Sequence, residues 1–412
     1  MKTYRVGGCV RDRLLGLPVN DIDWVITGAT PEQMLALGYQ SVGKDFPVFL
    51  HPDSKQEYAL ARSERKTGPG YRGFEIDADP TITIEQDLQR RDLTINAMAE
   101  DENGNIVDPY GGQKDLANKR LRHVSEAFIE DPVRVLRVAR FAARFHRLGF
   151  RLAEETRELI RLMGESGELE SLVAERVWTE LSRALDEPDP AVFITTLRDC
   201  DVLWRLFPEI DALFGVPQNA RYHPEIDTGV HVMMALQQSA ALGHDNEIRF
   251  AVLMHDLGKA HTPAEILPSH HGHEARGSEP VKNFCKRWRV PKSHTELALI
   301  TTELHLLAHR SMELKPATLL KLLMRADALR KPARFQKMLD ACRADVLGRA
   351  GARDDGYPQA DFLTRLADKL RGMDISDIQQ QGLSGKDMGE AIHAARLRLI
   401  KREKKLAQQK AS

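Results

Sequence analysis

Two aspartates near the start of the chain are spaced for metal binding. Asp21 and Asp23 lead into the apolar run 24–26, which is typical of a strand. Residues i and i+2 of a strand point to the same face, so the two carboxylates would lie side by side. Such carboxylates repel each other unless a cation neutralises them, and Mg²⁺ prefers carboxylates together with substrate phosphates. An isolated Asp-x-Asp is more often a solvated turn, so its neighbours must decide.

Two neighbouring segments could bind phosphate groups. Gly7-Gly8 follows a short strand pattern and precedes a helical start, where backbone N–H groups can approach an anion. Arg90-Arg91 could clamp a triphosphate, because a guanidinium forms paired hydrogen bonds with phosphate oxygens. Taken separately, a tight bend explains the first segment better, and a charged helix start explains the second equally well.

Arginines recur every three or four residues after Pro132, at positions 134, 137, 140, 144, 147 and 151. This spacing places them in one stripe along a helix. Pro132 suits a first helical turn and Asp131 suits the N-cap. Arginine stripes are usually solvated, but the opposite face of this helix is largely apolar, so we expect the stripe to line a cleft.

Histidine is concentrated in one part of the chain, since eleven of the 15 histidines fall between His223 and His309. Such clustering makes metal binding the first hypothesis. His255-Asp256 ends an apolar helical run, and imidazoles and carboxylates from neighbouring helices would suit a divalent transition ion. A single histidine here would more often be a core or surface residue. Further candidates for ligands or substrate contacts are His270, His271, His273 and His305.

The pattern of elements changes near residue 125. Residues 1–125 mix short apolar runs with Gly, Pro and Asp turn signals, which predicts an α/β head. From residue 126 the apolar periodicity is helical and predicts a long all-helical body. Stretches rich in Pro and Gly divide this body into 126–215, 216–350 and a helical tail, 351–412.

Composition excludes several classes of protein. The chain has 412 residues, 42% of them hydrophobic and 29% charged, which predicts a soluble protein of several domains. No apolar run reaches the ~18 residues of a membrane span, so we expect a cytoplasmic protein without a membrane partner. Its four distant cysteines exclude a disulfide framework and a zinc finger. The net charge of −1 conceals basic segments at 62–73 and 396–410.

The head motifs are much more specific together than apart. Gly7-Gly8-x-Val-Arg11-Asp, Asp21-x-Asp23 and Arg-Arg91-Asp-Leu-Thr-Ile-Asn-Ala resemble the class II tRNA nucleotidyltransferases and the related bacterial poly(A) polymerases. The resemblance is close over 4–140 and looser over the helical body. It implies an α+β fold with a polymerase-β-like nucleotidyltransferase head. It also implies that Asp21 and Asp23 are catalytic ligands of Mg²⁺, and that the enzyme transfers a nucleoside monophosphate to an RNA 3′ end.

The same resemblance assigns nucleotide contacts. Glu-Asp131-x-x-Arg134 is similar to the family's base-selecting motif, so Asp131 and Arg134 would read C or A. The residues that would contact the rest of the nucleotide are Gly8, Arg11, Arg91, Arg137 and Arg140. Segment 62–73 is similar to the family's flexible loop, which is linked with the switch from C to A addition, and favours complete CCA addition.

The histidine-rich segment carries a second resemblance. His231, His255-Asp256 and Asp327 follow the order of metal ligands in the HD phosphohydrolase superfamily. This implies that His255 and Asp256 are catalytic and that all four residues bind a divalent transition metal, Ni²⁺ being one candidate.

CCA-adding enzymes with a fused HD domain have 2′,3′-cyclic phosphodiesterase, 2′-nucleotidase and phosphatase activity. We therefore expect an enzyme, a monomer or homodimer, that adds CCA to tRNA from CTP and ATP and also hydrolyses phosphoesters. The alternatives are a poly(A) polymerase and an HD phosphohydrolase whose head only senses CTP or ATP.

Overall fold

The computed structural model describes residues 1–42, 48–66, 74–352 and 356–411. The chain divides into two compact units, Met1–Leu206 and Phe207–Ser412. The four segments drawn from the sequence are finer than this division and stay predictions. Most of the basic segment 62–73 lies outside the described residues.

A mixed sheet organises the first unit. Its described strands are β1 (Lys2–Val6), β2 (Asp23–Thr27), β3 (Gln40–Val42), β4 (Val48–Leu50), β5 (Glu57–Leu60), β6 (Ser63–Lys66), β7 (Phe74–Asp77), β8 (Ala99–Glu100), β9 (Ile106–Val107), β10 (Arg120–Leu121) and β11 (Arg151–Leu152). Seven of them form one sheet in the order β3-β4-β5-β2-β1-β8-β9. β1 runs antiparallel to β2, with Val6 opposite Asp23, and β2 runs parallel to β5.

The sheet separates two apolar layers, because successive side chains of a strand point to opposite faces. Val25 packs in one layer with Val6 and Leu88. Its neighbour Ile26 packs in the other layer with Phe49. Alternation along β2 therefore fixes which face of this strand each side chain occupies.

The helices of the first unit are α1 (Gly8–Leu14), α2 (Pro31–Ala36), α3 (Ile84–Gln89), α4 (Gly112–Ala117), α5 (Val133–Phe145), α6 (Glu154–Glu165), α7 (Ala174–Asp186), α8 (Ala191–Asp199) and α9 (Leu203–Leu206). Helix α5 packs its apolar face against α7 and α8. The N-cap of α5 is Pro132 and not the predicted Asp131, because the helix begins at Val133. Asp131 lies one position earlier, and its Oδ1 accepts the N–H of Val133 at 3.1 Å. The short strand β11 interrupts the region predicted to be entirely helical, by pairing with β10.

Helices are the main elements of the second unit, and its described residues form no named strand. Its helices are α10 (Pro208–Asp211), α11 (Thr228–Ala241), α12 (Asn246–Met254), α13 (His273–Arg287), α14 (Lys292–His309), α15 (Pro316–Arg325), α16 (Pro332–Leu347), α17 (Pro358–Arg371), α18 (Ser376–Gln379) and α19 (Gly385–Ala411). Helices α11, α14 and α16 pack around α12, which is the centre of this unit. None of the described helices is long and apolar enough to cross a membrane. A sheet-based head followed by a helical body confirms the predicted α+β class.

Candidate active sites

The two head aspartates lie at the start of β2. The spacing of the two aspartates predicts that both lie in the strand. The strand begins at Asp23, however, so Asp21 belongs to the segment before it. Both residues are exposed, which leaves their carboxylates open to an incoming ion. Two exposed carboxylates fit Mg²⁺ that arrives with substrate phosphates, because this ion keeps several ligands from water or substrate.

Gly7 is the residue that makes the glycine turn possible. Its φ is +72°, and a Cβ added there would lie 2.6 Å from Nη1 of Arg91. Glycine thus lets the Arg91 guanidinium approach the backbone of the turn. At Gly8, the predicted nucleotide contact, a Cβ would meet Arg11 at an ordinary 3.5 Å. The sequence indicates the Gly7-Gly8 turn as a whole, but it does not show that Gly7 is the position at which glycine is required.

A buried hydrogen-bond network links the head motifs to α5. Arg11 is only 3% exposed and donates to Asp12 and to the side-chain oxygen of Asn96. Asn96 donates to Asp92 at 3.0 Å, and Arg137 donates to the other Asp92 oxygen at 2.7 Å. Burial alone would raise the pKa of Asp92, but Arg137 and Asn96 hold that pKa well below its ordinary value. The carboxylate therefore stays charged and fixes both partners.

The arginine stripe of α5 is fixed by carboxylates from other segments. Arg140 donates to Glu180 of α7 at 2.7 Å, and Arg144 donates to Asp12 of α1 at 3.0 Å. Arg134 and Arg140 are buried. Several arginines of the predicted stripe are thus held by specific acids, which the arginine spacing alone did not indicate.

Asp131 and Arg134, the predicted base-reading pair, have separate partners. Both oxygens of Asp131 accept hydrogen bonds from Arg176 of α7, at 3.0 and 2.8 Å. Arg134 donates to the backbone carbonyls of Ala127 and Arg90, each at 2.7 Å. Arg176 is a contact that sequence reasoning missed.

Six buried side chains meet in the second unit, and we call them the HD cluster. They are His231 on α11, His255 and Asp256 directly after α12, His273 on α13, His305 on α14 and Asp345 on α16. None of the six is more than 4% exposed. Helix packing therefore gathers residues that are far apart in the sequence.

Three of the four imidazoles of the HD cluster are oriented by hydrogen bonds at Nδ1, whereas the Nδ1 of His231 lies close to a carboxylate without a well-aligned hydrogen bond. The nearest Nδ1 partners are the Val252 carbonyl for His255 (2.7 Å), the His270 carbonyl for His273 (2.8 Å), the Thr301 and Thr302 carbonyls for His305 (3.1 Å) and the Glu225 carboxylate for His231 (2.8 Å). An Nδ1–H that donates leaves the lone pair on Nε2. The Nε2 atoms of the four rings all face the carboxylates of the HD cluster, and each would be a ligand atom once its ring is neutral.

The HD cluster contains two adjacent ligand groups. One consists of His231, His255 and Asp345, and the other of Asp256, His273 and His305, with the ligand atoms of each group within 4.8 Å of one another. Asp256 faces both groups, because its Oδ2 lies 3.2 Å from His255 Nε2 and its Oδ1 lies 3.3 Å from His273 Nε2. Imidazole nitrogens and carboxylate oxygens in this arrangement fit divalent transition ions.

The carboxylates of the HD cluster remain ionised despite their burial. Burial alone would raise the pKa of Asp256, but His255 and Lys259 hold that pKa well below its ordinary value. Burial alone would lower the pKa of His255, whereas Asp256 raises it to about 9. Because a metal ligand must be neutral imidazole, ion binding here would release a proton.

Asp327 lies outside the HD cluster, which corrects the predicted ligand set. Its Oδ1 accepts a hydrogen bond from Arg330 at 2.6 Å, just after the end of α15. The carboxylate that the structure brings to His231 is Asp345, with Oδ1 3.0 Å from Nε2. Asp345 lies on α16, which packs against both α11 and α12.

The further histidines named from the sequence divide evenly. His273 and His305 belong to the HD cluster. His270 contacts the Thr262 hydroxyl and the Pro217 carbonyl, and His271 is exposed. His309, which sequence reasoning missed, lies 2.7 Å from Asp345 through its Nε2 and orients this carboxylate.

Three family models match the chain in order. Residues 3–122 match the poly A polymerase head domain, 149–214 match a probable RNA- and SrmB-binding site of polymerase A, and 228–331 match the HD domain. Glu225 and Asp345 lie outside the matched HD segment. The fold and the two sites thus define a nucleotidyltransferase with an HD domain.

Full-length relatives narrow this class. The multifunctional CCA protein of Thioalkalivibrio sulfidiphilus is 57% identical over 404 residues, covering 98% of this chain and 99% of the relative. The chain belongs to the family of the multifunctional CCA proteins.

Solved structures share the fold. The Bacillus stearothermophilus CCA-adding enzyme in complex with CTP has a TM-score of 0.63 at 24% identity, over 97% of this chain and 89% of that one. The Thermotoga maritima CCA-adding enzyme complexed with tRNA-CCA has a TM-score of 0.58 at 21% identity, over 99% and 91%.

Proposed function

We propose that this chain adds the 3′-terminal CCA of tRNA from CTP and ATP, without a nucleic-acid template, and releases pyrophosphate. The observation that supports this most directly is the 57% identity with a multifunctional CCA protein over nearly the whole chain. The same relationship favours CCA addition over poly(A) synthesis. We place the activity in the cytoplasm, where tRNA is the substrate; a monomer or a homodimer is compatible with it.

In the head, the RNA 3′-oxygen forms a bond to the α-phosphorus, and the bond between the α- and β-phosphates breaks. Asp21 and Asp23 hold Mg²⁺ for this step. When bound, this ion lowers the pKa of the 3′-hydroxyl and stabilises the charge on the phosphates. Arg11 and Arg91 contact the nucleotide next to the Gly7-Gly8 turn, so positioning and charge account for the acceleration.

Base selection rests on the start of α5. Asp131 and Arg134 offer acceptor and donor groups to the Watson–Crick edge of C or A, and Arg137 and Arg140 hold the nucleotide. Hydrogen bonds support this role, because they keep both side chains in defined positions. Asp131 accepts hydrogen bonds from Arg176, and Arg134 donates to backbone carbonyls.

The HD cluster hydrolyses phosphoesters, including 2′,3′-cyclic phosphodiesters, 2′-nucleotides and phosphomonoesters. The two ligand groups of the HD cluster would hold divalent metal, for which Ni²⁺ is a candidate, and Asp256 faces both groups. When bound, such ions activate water as a nucleophile. A blocked RNA 3′ end must be converted to a free hydroxyl before the head can extend it, which gives the two activities a common substrate.

The test supplies a tRNA that lacks its CCA end with CTP alone, ATP alone or both. We expect two C residues from CTP, and one further A only when both nucleotides are present. Extension by many A residues from ATP alone would instead establish the poly(A) polymerase alternative. Asp21→Ala is the control, since loss of all incorporation assigns the signal to the head and excludes a head that only senses nucleotides.

A further inference from the structure

Lys259 is the one buried lysine among the described residues, at 6% exposed. It lies three positions after Asp256, and its Nζ is 2.6 Å from Asp256 Oδ2. It also donates a hydrogen bond to Oε1 of Gln218 at 2.6 Å. Because a buried ammonium is costly unless it is paired, its position at the HD cluster requires an explanation.

The contact between Lys259 and Asp256 conflicts with metal binding. A divalent ion on Asp256 would bring a second positive charge to the oxygen that faces the ammonium. The contact is also poorly aligned, since neither oxygen of Asp256 makes a well-formed hydrogen bond with the described residues. An ion on Asp256 would therefore displace the ammonium, and the flexible stem of lysine allows this movement.

Gln218 supplies the second half of a binding site. It is 3% exposed and is fixed by its backbone N–H, which donates to the Ile226 carbonyl at 2.6 Å. Its Oε1 accepts from Lys259, but its buried Nε2 has no partner among the described residues. A buried donor without an acceptor costs free energy that a ligand oxygen would recover.

We propose that Lys259 and Gln218 form a phosphate-binding pair beside the HD cluster. In the metal-free protein Lys259 neutralises Asp256; when ions bind, its ammonium moves to the substrate phosphate, which also accepts the Nε2–H of Gln218. An anionic phosphate satisfies both donors and compensates the charge that the ions add. The part concerning substrate rests on the proposed hydrolase function, whereas the part concerning metal does not.

The experiment compares wild type with Lys259→Met, Lys259→Arg and Gln218→Leu in the full chain. Calorimetric titration with Ni²⁺ should show roughly tenfold tighter binding to Lys259→Met, and unchanged binding to Lys259→Arg, which keeps the charge. With Ni²⁺ saturating, the KM for 2′,3′-cyclic AMP should rise roughly tenfold in Lys259→Met and in Gln218→Leu. Lys292→Met, which changes a lysine side chain that is 90% exposed, is the matched control.

Weaker Ni²⁺ binding to Lys259→Met would show that the lysine only supports the ligands, and would overturn the proposal. An unchanged KM in both Lys259→Met and Gln218→Leu would overturn the phosphate role. If wild type does not hydrolyse 2′,3′-cyclic AMP, the proposed hydrolase function and the phosphate role of Lys259 and Gln218 fail together. The Ni²⁺ titrations still decide whether Lys259 opposes metal binding. Near-ultraviolet circular dichroism checks folding. If Lys259→Met does not fold, Lys259→Gln, which also removes the charge, takes its place in both measurements with the same expected changes.

Discussion

The two sites of this chain prepare for metal and phosphate in opposite ways. In the head, the proposed ligands Asp21 and Asp23 are exposed, and the groups fixed in advance are arginines such as Arg11 and Arg137. In the second unit, the proposed ligands themselves are buried, and hydrogen bonds orient most of them, as His255 shows. In the proposed function, the head thus leaves coordination positions to the nucleotide, whereas the HD cluster supplies its ligands from the chain.

The difference follows from what each site must bind. A nucleoside triphosphate brings its own oxygen ligands for Mg²⁺, so two protein carboxylates suffice. An ion that activates water is not surrounded by substrate oxygens in this way. It needs protein ligands that are held in place by hydrogen bonds to neighbouring groups. The two sites should therefore respond to different mutations and to different ions.

The largest expected effects separate the two sites completely. Asp21→Ala should abolish CMP and AMP incorporation, because it removes a Mg²⁺ ligand, and should spare cyclic phosphodiester hydrolysis. His255→Ala should do the reverse by removing an HD ligand. Both activities are measured on the same preparations, and loss of both in either variant would contradict two separate sites.

The next prediction contrasts Asp345 with Asp327, which is the ligand expected from the sequence. Asp345→Asn should weaken Ni²⁺ binding by roughly 10–100-fold, because it removes a charged oxygen from the HD cluster. Asp327→Asn should leave Ni²⁺ binding unchanged, since Asp327 pairs with Arg330. Equilibrium dialysis measures both affinities. The opposite ranking would restore Asp327 as the ligand.

Glu225→Gln should weaken Ni²⁺ binding by about tenfold, because Glu225 lies 2.8 Å from His231 Nδ1 and supports the basicity of this ring. Burial alone would raise the pKa of Glu225, but His231 and backbone N–H groups lower it to about 2, so the carboxylate is charged at neutral pH. Glu225→Asp is the conservative control and should recover part of the affinity in the same titration. Equal affinities of Glu225→Gln and wild type would refute this role.

The smallest effect is expected at Arg176. Its removal frees Asp131 from two hydrogen bonds, so Arg176→Ala should raise the KM for CTP and ATP severalfold with little change in kcat. Steady-state kinetics on tRNA lacking its final C or A measures this. Arg310→Ala removes an arginine side chain of the second unit that is 68% exposed, and it should have no effect. A fall in kcat at constant KM would argue against a role in nucleotide binding.

The sequence predicts the two domains well, but it predicts poorly which individual side chains contact each other. The head motifs and the histidine clustering indicate both domains, because motif order and composition can be read directly from the sequence. The choice between Asp327 and Asp345 depends on which helix packs against α11 and α12, and sequence order alone does not contain that packing.

Supporting residues are the other class that sequence reasoning missed. Each of them contacts one proposed ligand or base-reading residue that is separate in sequence. Arg176 lies 45 positions from its partner Asp131, Glu225 six positions from His231, and His309 36 positions from Asp345. Nothing in their local spacing indicates these contacts. Helix periodicity indicates that Arg140 shares a face with the other arginines of the stripe, but it does not indicate that Arg140 donates a hydrogen bond to Glu180.

The most direct test of the account uses one tRNA, lacking CCA and prepared with either a free 3′-hydroxyl or a 2′,3′-cyclic phosphate. With CTP, ATP, Mg²⁺ and Ni²⁺, wild type should extend both forms. His255→Ala should extend the free hydroxyl at the wild-type rate and leave the cyclic phosphate unextended, because the HD cluster prepares the end that the head uses. Extension of the blocked end by His255→Ala, or failure of wild type to extend it, would contradict the account.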